Sequence, residues 1–199
     1  MATDKSTNVD PPAPKTGRLI VISGPSGVGK SSIVAGLLAR TNAEFSISAT
    51  TRRPRAGEQD GREYHFVDQA AFQKMIADGQ LLEWAEVFGD YYGTPAEGVR
   101  RALAEGRSII LEIDVQGAIQ VHRKLPQATF VLIVPPSGEE LKRRLTGRAS
   151  DTPEAMRRRL AEAETEMRIA RESGIYNHTV VNNELNQATD EVTQIVTQE

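Results

Sequence analysis

The distribution of apolar and polar residues along the chain predicts alternating strands and helices. Short apolar runs at Leu19–Ser23 (LIVIS), Ser108–Ile113 (SIILEI) and Thr129–Val134 (TFVLIV) are typical of strands buried on both faces of a sheet. A further strand is predicted at His178–Asn182. Aliphatic spacing, capping residues and prolines predict helices at about 32–40, 118–124, 138–145, 152–172 and from 187 onwards. This alternation predicts an α/β fold with a parallel sheet core covered by helices.

Residues 48–94 interrupt this alternation. They hold short aromatic segments joined by glycine-containing turns, and these segments favour strands over helices. The predicted elements are strands EYHFV (Glu63–Val67), LLEWAEVF (Leu81–Phe88) and YYG (Tyr91–Gly93), with a helix over Gln69–Asp78. We therefore expect a small antiparallel lobe inserted into a core formed by residues 18–47 and 95–199.

The N-terminal segment 1–17, MATDKSTNVDPPAPKTG, has no apolar run and contains three prolines. Such a composition predicts a disordered tail and excludes a signal peptide. No later segment reaches the roughly 18 uninterrupted apolar residues that a membrane span needs. Hydrophobic residues make up 39% of the chain and charged residues 26%, which suits a packed globular core. We expect a soluble, cytoplasmic protein without a membrane partner.

Charge and cysteine usage exclude several classes of function. The net charge of −3 and the absence of a long basic run argue against a nucleic acid polymer as partner. The chain has no cysteine, so disulfides, thiol catalysis and cysteine-ligated zinc are excluded.

The segment GPSGVGKSS (Gly24–Ser32) has the spacing G-x-x-x-x-G-K-[ST] of a phosphate-binding loop, directly between a predicted strand and a predicted helix. Its glycines allow the backbone N–H groups to turn toward an anion, and the helix N-terminus adds its positive dipole end. We expect Lys30 to reach the β- and γ-phosphates and the Ser31 hydroxyl to join Mg²⁺. A nucleoside triphosphate with Mg²⁺ is therefore the expected donor, although the loop alone does not choose between hydrolysis and transfer.

A basic segment follows at Ser48–Phe66, SATTRRPRAGEQDGREYHF. Arg52 and Arg55 lie close enough in sequence to hold one phosphate by bidentate hydrogen bonds, and Tyr64 offers a neutral donor. The alternative is a solvated basic loop. The hydroxyl groups of Ser48 and its neighbours favour the phosphate site, because an incoming monophosphate needs such donors beside the arginines.

Carboxylates occur at two places where they could read a purine base or hold a metal ion. Glu83 is surrounded by apolar strand residues, and alternation puts it on the face opposite Leu82 and Trp84. Its carboxylate could accept hydrogen bonds from the N1–H and 2-amino groups of guanine; the alternative is an exposed glutamate. Glu112 and Asp114 share one face at the end of a strand, where α/β sheets bind ligands.

Arginines near the predicted helix junction suit phosphoryl transfer. Arg144 and Arg148 are four residues apart, and Arg159 lies in the next helix. A flap carrying arginines can neutralise the charge on a transferring phosphoryl group and exclude water. A solvated helix face is the alternative reading of this segment.

Taken together, these segments resemble the guanylate kinases from about Arg18 to the C-terminus. The resemblance rests on GPSGVGKSS, TTRRPRAGE, GREYHFV, EWAEVFGDYYGT, LEIDVQG, PPS, LKRRLTGR and VVNNEL, in that order. It implies a P-loop NTPase fold with a GMP-binding lobe at 48–94 and a lid at about 144–159. The implied reaction converts ATP and GMP to ADP and GDP, with dGMP as a second acceptor.

The resemblance also implies roles for individual residues. For ATP it implies contacts from Gly24, Pro25, Ser26, Gly27, Val28, Gly29, Lys30, Ser31 and Ser32, with Asn182 near the adenine. For GMP it implies Ser48, Glu83, Thr94 and Asp114 at the guanine, and Arg52, Arg55, Tyr64 and Tyr92 at the phosphate. For catalysis it implies Lys30, Arg52, Arg144, Arg148 and Arg159, and for Mg²⁺ it implies Ser31 and, through water, Glu112.

Two other functions stay open from the sequence. A non-catalytic guanylate-kinase-like domain of a scaffold would bind a phosphopeptide in the lobe, but such domains typically have degraded phosphate loops. A related kinase would phosphorylate another nucleoside monophosphate or a phosphorylated ribose with the same core. The complete loop favours an enzyme, and Glu83 with Ser48 and Thr94 favours guanine. The oligomeric state is open, and a homodimer could form through the terminal helix or the lobes.

Overall fold

The computed structural model describes residues 17–87, 89–146 and 153–198. In chain order, the strands are β1 (Leu19–Ser23), β2 (Glu44–Phe45), β3 (Ala49–Thr50), β4 (His65–Phe66), β5 (Leu81–Val87), β6 (Asp90–Pro95), β7 (Ile109–Glu112), β8 (Thr129–Val134) and β9 (His178–Val181). The helices are α1 (Lys30–Leu38), α2 (Gln69–Ala77), α3 (Ala96–Ala104), α4 (Val115–Lys124), α5 (Gly138–Thr146), α6 (Pro153–Ser173) and α7 (Leu185–Gln198).

Five strands form a parallel sheet in the order β2-β7-β1-β8-β9. Every residue of β1 is buried, as expected for the central strand of a sheet covered on both faces. The predicted parallel core is therefore confirmed. The edge strand β2 was not predicted, because its two residues are too few to produce an apolar run.

Helices cover both faces of this sheet. On one face Ile22 packs in a cluster with Ile33 of α1 and Val192 of α7. On the other face Val21 packs in a cluster that includes Val99 of α3 and Val121 of α4. The alternation of buried side chains along β1 thus connects the two layers of helices, and it leaves the carboxyl ends of the strands free for a ligand site.

Four strands form a second sheet in the order β4-β3-β6-β5. The pairs β3–β6 and β5–β6 are antiparallel, which confirms the predicted antiparallel lobe for these pairs. The prediction is wrong for β3 and β4, which pair in parallel. The chain from 51 to 64 returns to the same end of the sheet before β4 begins, and a turn in which the Gly61 N–H donates to Tyr64 O limits β4 to two residues.

Helices α5 and α6 pack against each other through Leu141, Leu145 and Ala163, and both contribute to the region of the predicted lid. The predicted start of α6 at Thr152 and the predicted catalytic residue Arg148 lie outside the described residues. Among the described residues, no helix combines the length and the apolar character needed to cross a bilayer.

Candidate active site

The phosphate-binding loop connects β1 to α1 and is held by a hydrogen bond from Asn182, a residue far along the chain. Gly29 is the N-cap of α1 with φ +97°, a left-handed conformation that favours glycine. A side chain at Gly29 would also collide with the amide nitrogen of Asn182. The Asn182 amide donates to Val28 O at 2.8 Å, and Asn182 is 5% exposed. Asn182 therefore supports the loop in this structure, while its predicted adenine contact stays a prediction.

Lys30 turns back over the loop. Its Nζ donates to Gly24 O at 2.5 Å and to Pro25 O at 3.2 Å. Burial lowers the pKa of Lys30, and the carboxylates of Glu112 and Glu166 act in the opposite direction. The ammonium group is thus held among the loop carbonyls, where phosphate oxygens are expected to bind.

Ser31 and Glu112 form the part of the site that would face a metal ion. Ser31 Oγ donates to Glu112 Oε1 at 2.6 Å. A hydroxyl and a carboxylate oxygen beside a phosphate loop fit Mg²⁺, which prefers oxygen ligands and keeps several waters. In the described part of the chain, no group of three or more histidine or acidic side chains is placed to hold a metal ion. Ser31 and Glu112 are two oxygen donors that fit a Mg²⁺ ion.

Arg52 is held in a fixed orientation by Glu58, a residue that the sequence reasoning missed. Its two terminal nitrogens donate to the Glu58 carboxylate at 3.0 and 2.9 Å. The guanidinium carbon lies 5.5 Å from the ring centre of Tyr64 and 5.8 Å from that of Phe66. The hydrogen bonds raise the pKa of Arg52 and lower that of Glu58. The signal available in the sequence was the position of Glu58, the first of three acidic residues in the segment Ser48–Phe66 and three residues after Arg55.

The two predicted phosphate-binding arginines differ in exposure. The Arg52 side chain is 13% exposed, whereas Arg55 is exposed to solvent. The backbone N–H of Arg55 donates to Glu58 at 2.7 Å. Glu58 therefore shapes the turn that carries Arg55 as well as orienting Arg52.

A cavity of about 230 Å³ lies between the two sheets and holds most of the predicted GMP-binding residues. Its lining includes Ser48, Tyr64, Glu83, Tyr92, Glu112 and Asp114. The rings of Tyr64 and Tyr92 are in edge contact, with centres 6.0 Å apart. The volume is below the roughly 300–1,000 Å³ of pockets that enclose a whole ligand, so it suits a base whose sugar and phosphate extend outward.

Glu83 is a buried carboxylate in this cavity. It is 6% exposed, and its Oε1 accepts a hydrogen bond of 2.6 Å from Thr94 Oγ1. The pKa of Glu83 is raised to about 7, mainly by burial and also by Asp114, while the Thr94 hydrogen bond acts in the opposite direction. Thr94 thus acts through Glu83, and the structure does not place it in the cavity lining.

Burial along β5 does not alternate around Glu83. Trp84 is 38% exposed, whereas Leu82 and Glu83 are both buried, Leu82 in the core cluster with Val21 and Glu83 in the cavity. The register of β5 against β6 shifts between Leu81 and Trp84, an irregularity that the regular period of a strand does not predict. The placement of Glu83 on the face opposite Leu82 and Trp84 stays a prediction.

Asp114 combines a position in the cavity lining with a structural contact. It is the N-cap of α4, and its Oδ1 accepts a 2.7 Å hydrogen bond from the Gly117 N–H. Glu112 and Asp114 both line the cavity, as expected for residues at i and i+2. One oxygen of Asp114 is therefore committed to the helix.

The arginines of α5 and α6 lie near the loop in different ways. Arg159 approaches Ser26 of the loop, with a nitrogen 3.4 Å from Ser26 Oγ. Arg144 donates to Glu140 at 2.7 Å and to Asn183 O at 3.5 Å. Together with Arg143, it lowers the pKa of Glu140 to about 2.

Glu166 is a second residue that the sequence reasoning missed. It lies seven residues after Arg159, so the two share one face of α6. Its Oε2 is buried without a hydrogen-bond partner among the described residues. Burial raises the pKa of Glu166, and Lys30 lowers it. The seven-residue spacing from Arg159 was the signal available in the sequence.

Comparisons with known proteins agree on one family. The sequence profile of the guanylate kinase family matches residues 16–199. A guanylate kinase of Dechloromonas aromatica is 50% identical over 181 residues, covering 90% of this chain and 88% of the relative. One of Thermobifida fusca is 48% identical, covering 90% of both chains. The crystal structure of guanylate kinase from Anaplasma phagocytophilum superimposes with a TM-score of 0.74 at 31% identity, covering 92% of this chain and 86% of that chain.

Proposed function

The chain belongs to the guanylate kinase family, and from this we propose that it transfers the γ-phosphoryl group of ATP to GMP, giving ADP and GDP. The observation that supports this most directly is the buried Glu83 in a base-sized cavity beside a complete phosphate-binding loop. The loop suits the donor and the cavity suits a guanine base, so one site can hold both nucleotides.

The reaction needs neither a nucleophilic side chain nor a dedicated general base. The acceptor is already a phosphate oxyanion, so alignment of the two nucleotides and neutralisation of charge can supply most of the rate. We assign no catalytic role to the three histidines.

The loop N–H groups and Lys30 hold the donor phosphates. When ATP binds, the phosphate oxygens replace Gly24 O and Pro25 O as acceptors for the Lys30 ammonium group. Arg144, Arg148 and Arg159 are assigned to the transferring group. Mg²⁺, when bound with ATP, would supply positive charge that offsets the negative charge of the phosphates. Ser31 and Glu112 are the residues that would hold this ion, Glu112 through water.

The acceptor is recognised at its base and at its phosphate. The ionised Glu83 accepts hydrogen bonds from the N1–H and 2-amino groups of guanine, two donors that adenine does not offer together. Ser48 and Asp114 line the same cavity. Arg52, Arg55, Tyr64 and Tyr92 are assigned to the GMP phosphate, and Arg52 reaches it as a planar fork already oriented by Glu58.

Further parts of the proposal concern the whole chain. Residues 48–94 act as the GMP-binding lobe, 18–47 and 95–199 as the core, and about 144–159 as the lid. The second acceptor is dGMP, which carries the same base. The cytoplasmic location and a homodimer stay predictions.

An acceptor panel tests the proposed function. ADP release from ATP and Mg²⁺ is measured with GMP, dGMP, AMP, UMP and CMP. We expect fast turnover with GMP and dGMP and turnover slower by two powers of ten or more with the others, because only guanine satisfies a buried carboxylate. Equal rates on AMP would contradict guanine recognition. Absence of ADP release with every acceptor would contradict the enzyme and favour a phosphopeptide-binding module.

A further inference from the structure

One side chain of the core pairs with the backbone of the lobe next to Glu83. The Gln120 amide, on α4, donates from Nε2 to Trp84 O at 2.9 Å and accepts from Trp84 N at Oε1 at 3.2 Å. Strand β5 is an edge strand of the lobe sheet, so its outer backbone groups face no neighbouring strand. The side-chain amide of Gln120 makes the two hydrogen bonds that one residue of a neighbouring strand would make.

A second bond of the same kind lies one helical turn further along α4. Lys124 Nζ donates to Leu81 O at 2.9 Å. We call these contacts of Gln120 with Trp84 and of Lys124 with Leu81 the α4–β5 clasp. The two clasped residues flank Glu83 in sequence, and they bracket the place where the β5 register shifts. The clasp therefore holds the irregular part of the strand from the side that has no strand partner.

The same helix also limits where the Glu83 carboxylate can lie. An added Cβ at Gly117 would come within 2.9 Å of Glu83 Oε2, so the carboxylate rests directly on the helix surface. Asp114, which lines the cavity, begins this helix. A displacement of β5 along or away from α4 would move Glu83 relative to Asp114 and change the donor pattern that the cavity accepts.

We propose that Gln120 is a positioning residue for guanine selectivity, holding β5 through both backbone groups of Trp84 so that Glu83 presents its carboxylate to the base. Gln120 does not touch the base itself. This inference rests on the proposed function, because it assigns Gln120 a role in the use of GMP. Lys124 has the same role with a single hydrogen bond.

The test is Gln120→Met, which keeps the length of the side chain and removes both hydrogen bonds. We expect the KM for GMP to rise about tenfold, the size expected for the net loss of about one hydrogen bond or slightly more. The kcat at saturating GMP and the KM for ATP should stay within about twofold, since the loop and its arginines are untouched. The preference for GMP over IMP, which lacks the 2-amino group, should fall.

Gln73→Met is the matched control, because Gln73 lies exposed on α2 of the same lobe. This substitution should leave the KM for GMP, the KM for ATP, kcat and the preference for GMP over IMP unchanged. Trp84 is the only tryptophan of the chain, so its fluorescence reports on the clasp directly. Emission of Gln120→Met should shift to longer wavelength than that of the wild-type protein, and emission of Gln73→Met should not.

An unchanged KM for GMP in Gln120→Met would overturn the inference. A parallel loss of kcat, of affinity for both nucleotides and of thermal stability would overturn it too, because that pattern indicates a purely structural role. If Gln120→Met does not fold, Lys124→Met is measured in the same way, with a smaller rise in the KM for GMP expected and the same outcomes decisive. A wild-type protein that does not phosphorylate GMP would instead refute the proposed function.

Discussion

Two effects act on the charge of Glu83 in opposite directions: burial favours the neutral acid, and hydrogen-bond donors favour the carboxylate. Burial raises its pKa to about 7, so the unliganded protein near neutral pH holds a mixture of the acid and the carboxylate. Guanine offers two donors and therefore favours the carboxylate. Thr94 already supplies one hydrogen bond to Oε1, which lowers the cost of ionisation before the base binds.

Replacing Glu83 by Gln should impair the use of GMP selectively. The substitution removes an acceptor and introduces an amide donor that faces the donors of guanine. We expect kcat/KM for GMP to fall by an amount equivalent to about 1–3 kcal/mol, as for other base-edge hydrogen bonds. The KM for ATP should stay unchanged in steady-state assays. Glu86→Gln, an exposed position on the same strand, is the matched control, and an unchanged KM for GMP in Glu83→Gln would contradict the assigned contact.

The raised pKa of Glu83 also predicts a pH-dependent stability. A folded-state pKa above the unfolded value means that the folded protein binds the proton more tightly. The stabilising contribution is therefore fully present below pH 4.5 and is lost as the pH rises through about 7. Urea unfolding should show that the wild-type free energy of unfolding, relative to that of Glu83→Gln, decreases between these pH values. The difference cancels groups common to both proteins, such as Glu166, and a constant difference would contradict the raised pKa.

At the scale of elements, the structure departs from the sequence predictions at the shortest strands and at α3, a nine-residue helix that was not predicted. Strands β2, β3 and β4 have two residues each, and so short a segment gives no periodic pattern. Their pairing depends on neighbours distant in sequence, which is why the parallel pairing of β3 with β4 was not predicted. Strand β1 was predicted residue by residue because all of its residues are buried, and the end of α6 was predicted within one residue because Gly174 stops the helix.

The phosphate-binding loop is an element whose conformation depends on another strand. Asn182, directly after β9, donates to Val28 O inside the loop. The motif at Gly24–Ser31 predicted the conformation of the loop, but the spacing of its residues does not indicate that Asn182 supports it. Because this hydrogen bond is buried, removing the Asn182 amide would leave Val28 O without a hydrogen-bond partner.

We expect Asn182→Ala to loosen the loop while leaving the sheet intact. The loss of the hydrogen bond to Val28 O should lower the free energy of unfolding by about 1–3 kcal/mol. The KM for ATP should rise, while the KM for GMP changes little. Equilibrium unfolding measures the free energy change, and steady-state kinetics measure the two KM values. Asn183→Ala is the control, since Asn183 is exposed and accepts a hydrogen bond from Arg144 through its backbone carbonyl. Equal effects of the two substitutions would contradict a specific role of Asn182.

At the scale of the whole molecule, the proposed donor site lies on one sheet and the proposed acceptor site involves the other. The loop follows β1 of the core sheet, whereas Glu83 and Tyr92 belong to β5 and β6 of the lobe sheet. The sequence predicted the parallel sheet and the antiparallel pairs of the lobe, and its local motifs supplied the side chains that are proposed for each site. It did not predict Glu58, Glu166 or the α4–β5 clasp, because these contacts join segments whose proximity only the folded chain reveals.

A site divided in this way predicts tight coupling between the two substrates. The arginines of the lid should reach the transferring group only when both nucleotides are bound, since closure depends on contacts to each. We expect ADP release from ATP alone to be at least about three powers of ten slower than with saturating GMP. A coupled assay with and without GMP measures this ratio. Comparable rates under the two conditions would contradict closure by both substrates.

The support of the phosphate loop by Asn182 has a consequence for the order of events during synthesis. Val28 leaves the ribosome early, but its partner is made 154 residues later. A nascent chain that does not yet contain Asn182 lacks the hydrogen bond that supports the loop. Nucleotide affinity should therefore arise late and abruptly as the polypeptide lengthens, when β9 joins the sheet.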